Sequence, residues 1–498
     1  MHYLFRTKNY CQFIIGKARG NYFLDRIDMD ALKSNPIYTY HGGIIPIVEE
    51  IFKRKLPELI DSSLNEFAPR PKQCRYKYSD MIISWIASSM CGATKINHVT
   101  PLRKDLLKLP GLKIPSHDNI GYQMKKLVAQ VQTEERKMNY QVNTNYYDDN
   151  IPLNRLLINA TKKMGGLKEG KEYVLDVDCT FIDTRCRDAM SMKEKDQYGF
   201  YPMICLIDQM PVFISMRNGT SIADFRIKEC VEDCINLLQE AGIKIKSVRT
   251  DGAGYRVDYL KMLNQRDVPF VTSSPVNSSY KKMLRQLEET SWRSITLETA
   301  NHFKECEIAE ISYTMWKTEL PYRVIAIKVP TKAKLISQLN EEDSQNLIAN
   351  QKRLKVLDKN KKLKSKNRRY QEGNWNELVD YQYKMITTND WVTPAEELIL
   401  FYNNRGTAER QFSFMKNDFG WKYPPFAKMN ENTVFMIISA LANNIFRSIV
   451  IKLESKIPEI KSTIRIKTFK QIFIQVIAIF IDSQWNYVDT IIDYREIF

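Results

Sequence analysis

The 498-residue chain lacks an apolar run of the length a bilayer demands. Its most apolar stretches, Val434 to Phe446 and Ile472 to Ile481, fall short of the ~20 residues that span hydrocarbon, and Gln475 interrupts the second. On that count no membrane-spanning segment is expected. The opening residues, Met1 to Tyr10, hold no apolar segment followed by a small-residue cleavage site, so a cytoplasmic protein is expected. The nine cysteines include no Cys-x-x-Cys pair and no nearby histidine to complete a zinc site. Reduced, mostly buried thiols are the expectation, with Cys230 and Cys234 placed together on a core-facing helix. Internal repeats and low-complexity tracts are lacking as well.

What is present suits a globular protein of several parts. Hydrophobic residues make up 44% and charged residues 27%, enough apolar material for a real core, and the length implies about two to four structural units. Lys and Arg outnumber Asp and Glu by 74 to 58, a net charge of +16. That balance favours a polyanionic partner, either nucleic acid or an anionic membrane face.

Periodicity divides the chain. Residues 1–165 alternate apolar-periodic segments with basic turns, as in Ile45 to Phe67, Ser79 to Met90 and Ser116 to Tyr140, and read as a helical N-terminal domain. Its scattered cations, among them Arg70, Lys72, Arg75, Lys77, Arg103, Lys104, Lys125 and Lys126, suit a DNA backbone but also an ordinary basic surface. Residues 166–274 read as strands Tyr173 to Asp178, Tyr198 to Ile207 and Val212 to Met216, a helix over Ser221 to Ala241, a strand Ile243 to Thr250, a helix near Tyr255 to Asn264 and a strand Val268 to Ser273. The order β-β-β-α-β-α-β is that of a ribonuclease-H-like α/β core with a mixed sheet. Residues 275–392 read as a β-rich insertion with strands at Ala309 to Trp316, Tyr322 to Val329 and Tyr381 to Thr388. Within it Lys352 to Arg369 carries ten basic residues against one acid, Asp358. Residues 393–455 resume the core at Thr393-Pro394-Ala395-Glu396, a helix start with Thr393 as N-cap. Residues 456–498 form a C-terminal region, read as mainly helical with a closing strand.

Three acidic positions fit metal-dependent phosphodiester chemistry, which needs hard carboxylate oxygens gathered at one point. Asp178 ends Leu175-Asp176-Val177-Asp178, where the strand period of two puts Asp176 on the same face. Either could instead be an acidic strand end facing water. Asp251 follows a strand and precedes Gly252-Ala253-Gly254, a tight turn at a strand's carboxyl end, although Asp-Gly is also ordinary turn punctuation. Glu409 lies in Tyr402-Asn403-Asn404-Arg405-Gly406-Thr407-Ala408-Glu409, continued by Arg410-Gln411-Phe412-Ser413-Phe414-Met415-Lys416. At about 100° per residue, one continuous helix gathers Tyr402, Arg405, Glu409 and Lys416 within an arc of roughly 60°. A solvated Arg405–Glu409 pair would explain part of this face for only ~0.3 to 0.5 kcal/mol. Gly406, costly in a merely solvated helix, suggests close backbone approach or a kink.

The run Tyr-x2-Arg-x3-Glu-x6-Lys resembles the signature of the insertion-sequence DDE transposases. Asp178-Cys179-Thr180 resembles that family's first Asp motif, and Arg249-Thr250-Asp251-Gly252-Ala253-Gly254-Tyr255 resembles its second. Tyr198-Gly199-Phe200-Tyr201-Pro202, Arg217-Asn218-Gly219 and Ala440-Leu441-Ala442-Asn443-Asn444 are similar to landmarks of one branch, whereas Ala253 departs from it. The resemblance implies a DNA transposase that binds terminal inverted repeats and target DNA as a homodimer and performs strand cleavage and transfer by a two-metal, cut-and-paste route. It implies Asp178, Asp251 and Glu409 as ligands of Mg2+, with Mn2+ able to substitute, and leaves open whether Asp176 also binds metal. It implies Tyr402, Arg405 and Lys416 beside the DNA phosphates, and places Tyr383 where relatives carry an aromatic that stacks a flipped base during hairpin formation, although Tyr383 could instead pack against a cross-strand neighbour. A nuclease or resolvase without joining activity, or a retired transposase that only binds DNA, remains the alternative.

Overall fold

A computed structural model describes residues 37–71, 73–109, 111–138, 141–192, 197–299, 302–315, 320–330, 376–378, 381–481 and 484–488, together with 490, 492, 494 and 497. The basic run Lys352 to Arg369 lies outside the described residues. The chain begins with β1 (Ile37–Thr39) and helices α1 (Ile44–Lys53), α2 (Leu56–Phe67), α3 (Tyr78–Met90), α4 (Val99–Leu106) and α5 (His117–Met124). A hairpin, β2 (Gln132–Met138) and β3 (Gln141–Asp148), then leads into α6 (Ile151–Met164). Next come β4 (Glu172–Cys179), the short strands β5 (Ile182–Asp183), β6 (Met190–Met192) and β7 (Gln197–Phe200), then β8 (Met203–Ile207) and β9 (Met210–Arg217). They are followed by α7 (Ile227–Glu240), β10 (Lys244–Thr250), α8 (Val257–Gln265), β11 (Phe270–Ser274) and α9 (Ser278–Gln286). Strands β12 (Arg293–Thr299), β13 (His302–Thr314), β14 (Pro321–Pro330), β15 (Asn376–Leu378) and β16 (Tyr381–Thr388) precede α10 (Ala395–Asn403), α11 (Thr407–Asp418) and α12 (Met429–Leu453). The C-terminal part adds the short helix α13 (Ile466–Phe469) and the hairpin β17 (Ile477–Ile481) with β18 (Gln484–Val488).

One twelve-stranded sheet organises these elements in the order β12-β13-β14-β16-β11-β10-β4-β8-β9-β3-β2, with β15 beside β16. β10 pairs parallel with both β4 and β11, while β8 runs antiparallel to β4 and to β9. The strands read as an insertion extend this same sheet through β16, which pairs with β11. Strand β8 reads Met-Ile-Cys-Leu-Ile because both of its faces are covered. Met203, Cys205 and Ile207 pack under α7 and α8, and Ile204 and Leu206 pack in the core formed with α6 and α12. The same alternation recurs at the other end. Ile325, Ile327 and Ile386 meet α10, while Val324, Ala326 and Met385 meet α9.

Helices from both ends of the chain share one core, which runs from Ile44 through Trp85 to α12 and on to Phe469. Helix α12 is 25 residues long and apolar enough to cross a membrane by length and composition. The length argument from the sequence therefore fails, because the helix outruns its most apolar stretch. Its surface is spent on protein contacts: 94% of its most apolar window is buried inside the fold. Asn443 donates to the Gln209 carbonyl at 3.2 Å, and Asn444 donates to the Pro211 carbonyl at 2.7 Å, so the paired asparagines hold the β8–β9 turn.

Three helix expectations are corrected. Ile45 to Phe67 breaks into two helices at Lys55, whose φ of 52° is left-handed, just ahead of Leu56-Pro57. The helix read over Ser116 to Tyr140 stops at Met124, and the chain after it forms the β2–β3 hairpin on the edge of β9, where tertiary pairing overrides local periodicity. The C-terminal region, read as mainly helical with one closing strand, holds less helix than expected and closes as the two-stranded β17–β18 hairpin paired with β1, which ties the two ends of the described chain together.

Asp148 ends β3 inside this core at 1% exposure, accepting a hydrogen bond from the Asn150 amide at 3.1 Å. Burial pushes its carboxyl up to about 7. A carboxyl raised on folding contributes stability that is present below its unfolded value and lost as pH climbs through its folded value. Asp148→Asn is therefore expected to melt above wild type near pH 8, by on the order of 2 kcal/mol, with the gap closing toward pH 4. Equal melting curves across that range, read by scanning fluorimetry, would contradict the assignment.

Candidate active site

The parallel pair β4–β10 brings the two aspartates to one end of the sheet. Asp178 is the penultimate residue of β4, and Asp251 is the first residue after β10. The turn that holds Asp251 is built locally: its Oδ1 accepts from the Ala253 amide at 2.9 Å, and its own carbonyl accepts from the Thr272 hydroxyl on β11 at 2.7 Å. Gly254 is required there, since a Cβ would stand 1.9 Å from Thr250 Oγ1. Thr180, after the first aspartate, lines the same opening.

Glu409 comes from a third element, and the local structure differs from the single helix read in the sequence. Helix α10 ends at Asn403, Asn404–Gly406 form one 3-10 turn, and α11 restarts at Thr407. Gly406 has open space around it, holds ordinary right-handed dihedrals (φ -56°, ψ -12°) and lines the cleft, so no approach of the protein's own backbone requires it. Tyr402, Arg405, Glu409 and Lys416 nonetheless line one cleft of about 1120 Å³ together with Asp178 and Asp251. The Thr393 cap also differs: its hydroxyl donates to Asp390 at 2.6 Å and the helix begins one residue later, after Pro394.

The charges in the cleft are interlocked. Arg405 Nη1 donates to Asp178 Oδ2 at 2.8 Å, with the two side chains 19% and 13% exposed. Burial first, and the neighbouring Asp251 and Glu409 after it, push the Asp178 carboxyl up while Arg405 pulls it down, and the balance stands at about 6. Burial works against the charge on Arg405, but Asp178, Tyr402 and Asp251 outweigh it and raise its pKa. Glu409 stands exposed in the first turn of α11, and Lys416 lies two turns further on. Among the described residues no three His, Cys, Asp or Glu side chains are grouped so as to hold a metal ion as they stand. Here Arg405 is the cation on Asp178.

Asp176 does not line this cleft. It stands opposite Arg249 of the adjacent strand β10, which engages both of its oxygens, at 2.6 Å from Nε and 2.7 Å from Nη2. Tyr383 is also turned away. Its ring is 7% exposed, packed among Tyr280, Met385 and Val324 and edge-on to Trp292 at 5.9 Å, so among the described residues it sits in side-chain packing, the ordinary alternative to a base-stacking role. The strand period explains this: Tyr383 faces α9, and its neighbour Lys384 faces the cleft. Residues the sequence reading passed over are Lys384, Trp421 and Lys422 on the cleft wall. Alternation along β16 was a signal for Lys384; Trp421 and Lys422 follow α11 and gave none.

The family model described as "Transposase DDE domain group 1" matches residues 38–338, and the chain belongs to that family. Asp178 and Asp251 fall within the matched span and Glu409 beyond it. No curated protein matches the chain. Among solved structures, one described as a cryo-EM structure of the piggyBac transposase synaptic complex with hairpin DNA is similar at 10% identity and a TM-score of 0.40, covering 86% of this chain and 78% of that one.

Because Arg405 holds the Asp178 carboxyl down, Arg405→Ala is expected to move its titration upward from about 6. Carboxyl-detected NMR of selectively labelled protein reads this directly. A downward shift, or none, would show that the ion pair is absent in solution.

Proposed function

We propose that this family member is a DNA transposase with a ribonuclease-H-like core. It would bind terminal inverted repeats as a homodimer in the cytoplasm, cut the strands at the element's ends and join them to target DNA. The observation that carries the reading is the meeting of Asp178, Asp251 and Glu409, from β4, the turn after β10 and α11, in one cleft walled by Lys384, Arg405, Lys416 and Lys422. Pure DNA binding has no use for carboxylates facing a polyanion. The strand sequence β9-β8-β4-β10-β11, antiparallel then parallel, supports the core assignment.

The donor set fits a divalent cation in its chemistry. It consists of carboxylate oxygens, two of whose groups raise the proton affinity of Asp178, and it has already drawn in a guanidinium. Asp178, Asp251 and Glu409 would hold Mg2+ or Mn2+. Such an ion, when bound, activates a nucleophilic oxygen and neutralises charge at the scissile phosphate. Arg405, one bond from Asp178, is placed to exchange that carboxylate for a phosphate oxygen when DNA enters. Lys416 and Lys384 would neutralise phosphates along the wall, and Tyr402, hydrogen-bonded to Arg405 and with its ring 4.8 Å from Lys384 Nζ, would orient the guanidinium.

Purified protein incubated with Mg2+ and DNA carrying the element's ends should yield cut and joined products. Cut products without joined ones would favour a nuclease, and binding alone a retired transposase. Asp178→Ala, Asp251→Ala and Glu409→Ala are each expected to lower cleavage by roughly 1000-fold or more. Affinity for the ends should stay the same or improve, because a repulsive charge is gone. Near-wild-type cleavage by any one variant removes that residue from the centre. Arg405→Ala and Lys416→Ala should slow cleavage more than they weaken binding, each being one phosphate contact among many. An equal loss in both would make them general DNA contacts.

A further inference from the structure

The parallel strands β4 and β10 carry a second pair of side chains two residues behind the aspartates. Arg249 stands opposite Asp176 in the register of the two strands, as Val177 stands opposite Thr250. With a period of two, Asp176 shares a face with Asp178, and Arg249 sits two positions before Asp251. The pair is bidentate and enclosed, the Arg249 side chain 10% and the Asp176 side chain 6% exposed. The third nitrogen of the guanidinium, Nη1, donates to the Phe401 carbonyl at 2.6 Å, and its carbon lies 4.7 Å over the Phe401 ring. Phe401 is in the last turn of α10, where carbonyls lose their intrahelical partners and a cation is favoured by the helix dipole. The 3-10 turn bearing Arg405 follows at once, then the first turn of α11 bearing Glu409.

One guanidinium thus touches the strand that carries Asp178, belongs to the strand that leads to Asp251, and caps the helix that leads to Glu409. We propose that Arg249 and Asp176 form a positioning unit that sets the separation of the three acidic residues. The proposal rests on the transposase reading. Asp176 is then a tether, committed to Arg249 through both oxygens, and not a fourth metal ligand. A buried ion pair replaced by apolar side chains often leaves stability unchanged, so the weight of this proposal lies on the three contacts of the guanidinium and not on the stability the pair supplies. Lysine cannot replace the arginine, because an ammonium lacks the planar fork that reaches two carboxylate oxygens and a carbonyl at once.

The test compares wild type, Arg249→Lys, Asp176→Asn and the double variant as full-length proteins. It measures melting temperature, affinity for end DNA, Mn2+ affinity by electron paramagnetic resonance, and the single-turnover rate of cutting bound DNA. Each single variant is expected to bind DNA within about threefold of wild type. Mn2+ affinity should fall about tenfold or more and the cutting rate about 100-fold, the scale of a misplacement near 1 Å. The double variant should be no worse than either single one, since both break the same unit. Additive losses would overturn the proposal by giving Asp176 a role of its own. Wild-type Mn2+ affinity and rate in a folded Arg249→Lys would overturn it too, as would losses that merely track the unfolded fraction. If one variant fails to fold, the other still decides: Asp176→Asn keeps size and one acceptor, so an unaltered rate there is equally fatal. A wild-type protein that neither binds Mn2+ nor cuts DNA sinks the transposase reading and the positioning unit with it. Cutting by wild type and variants alike sinks the unit alone.

Discussion

Carboxylates that repel one another at the end of a sheet are the constraint around which this protein is arranged. In water Asp178, Asp251 and Glu409 would keep apart; here two adjacent parallel strands and a kinked helix bring them to one cleft. The strain of that arrangement is visible in Asp178, whose carboxyl is raised to about 6 by burial and by its acidic neighbours. Two arginines make the arrangement tolerable in different ways. Arg405 lies within the cleft and supplies charge to Asp178 itself. Arg249 lies behind it and spends its charge on Asp176 and a helix end. The first can be exchanged for another cation or a phosphate; the second, enclosed on every polar atom, holds the frame.

The rest of the fold keeps that frame stiff. Both faces of β8 and β9 are covered, by α7 and α8 on one side and by α6 and α12 on the other, while β4 and β10 pack Leu175, Val177 and Val248 with α7 and α8, so neither strand can tilt without opening that core. The strands beyond β11 continue the sheet and carry α10 on one face. Movement of that flank would be felt at Glu409 through the 3-10 turn. Helix α12 serves the frame too, its buried asparagines holding the β8–β9 turn.

Much of this was legible in the residues, and what was not has physical reasons. Alternation and turn chemistry located β4, β8, β9, β10 and β11 and the helices between them, because each is a local pattern long enough to read. The aspartates were visible because strand ends followed by Thr180 or by Gly252-Ala253-Gly254 are local as well. The break at Asn404–Gly406 was only half visible: Gly406 flagged a kink, but the angular argument treated the helix as continuous. The surroundings of Asp176 and Tyr383 stayed open in the sequence for one reason. Which face of a strand meets the cleft depends on neighbours more than 70 residues away, Arg249 for Asp176 and Tyr280 for Tyr383, and no spacing rule carries that information. The β2–β3 hairpin was missed likewise, and of the β17–β18 closure only one strand was read, since both exist by pairing with distant strands.

The central claim is that the cation now supplied by Arg405 stands in for a divalent ion shared by the three carboxylates. Anomalous diffraction from crystals of the protein with end DNA and Mn2+ tests this most directly. The account predicts an anomalous peak bonded to oxygens of Asp178 and Asp251, with the Arg405 guanidinium off Asp178 and on a DNA phosphate. Mn2+ found only elsewhere, with the Arg405–Asp178 pair intact beside bound DNA, would contradict it.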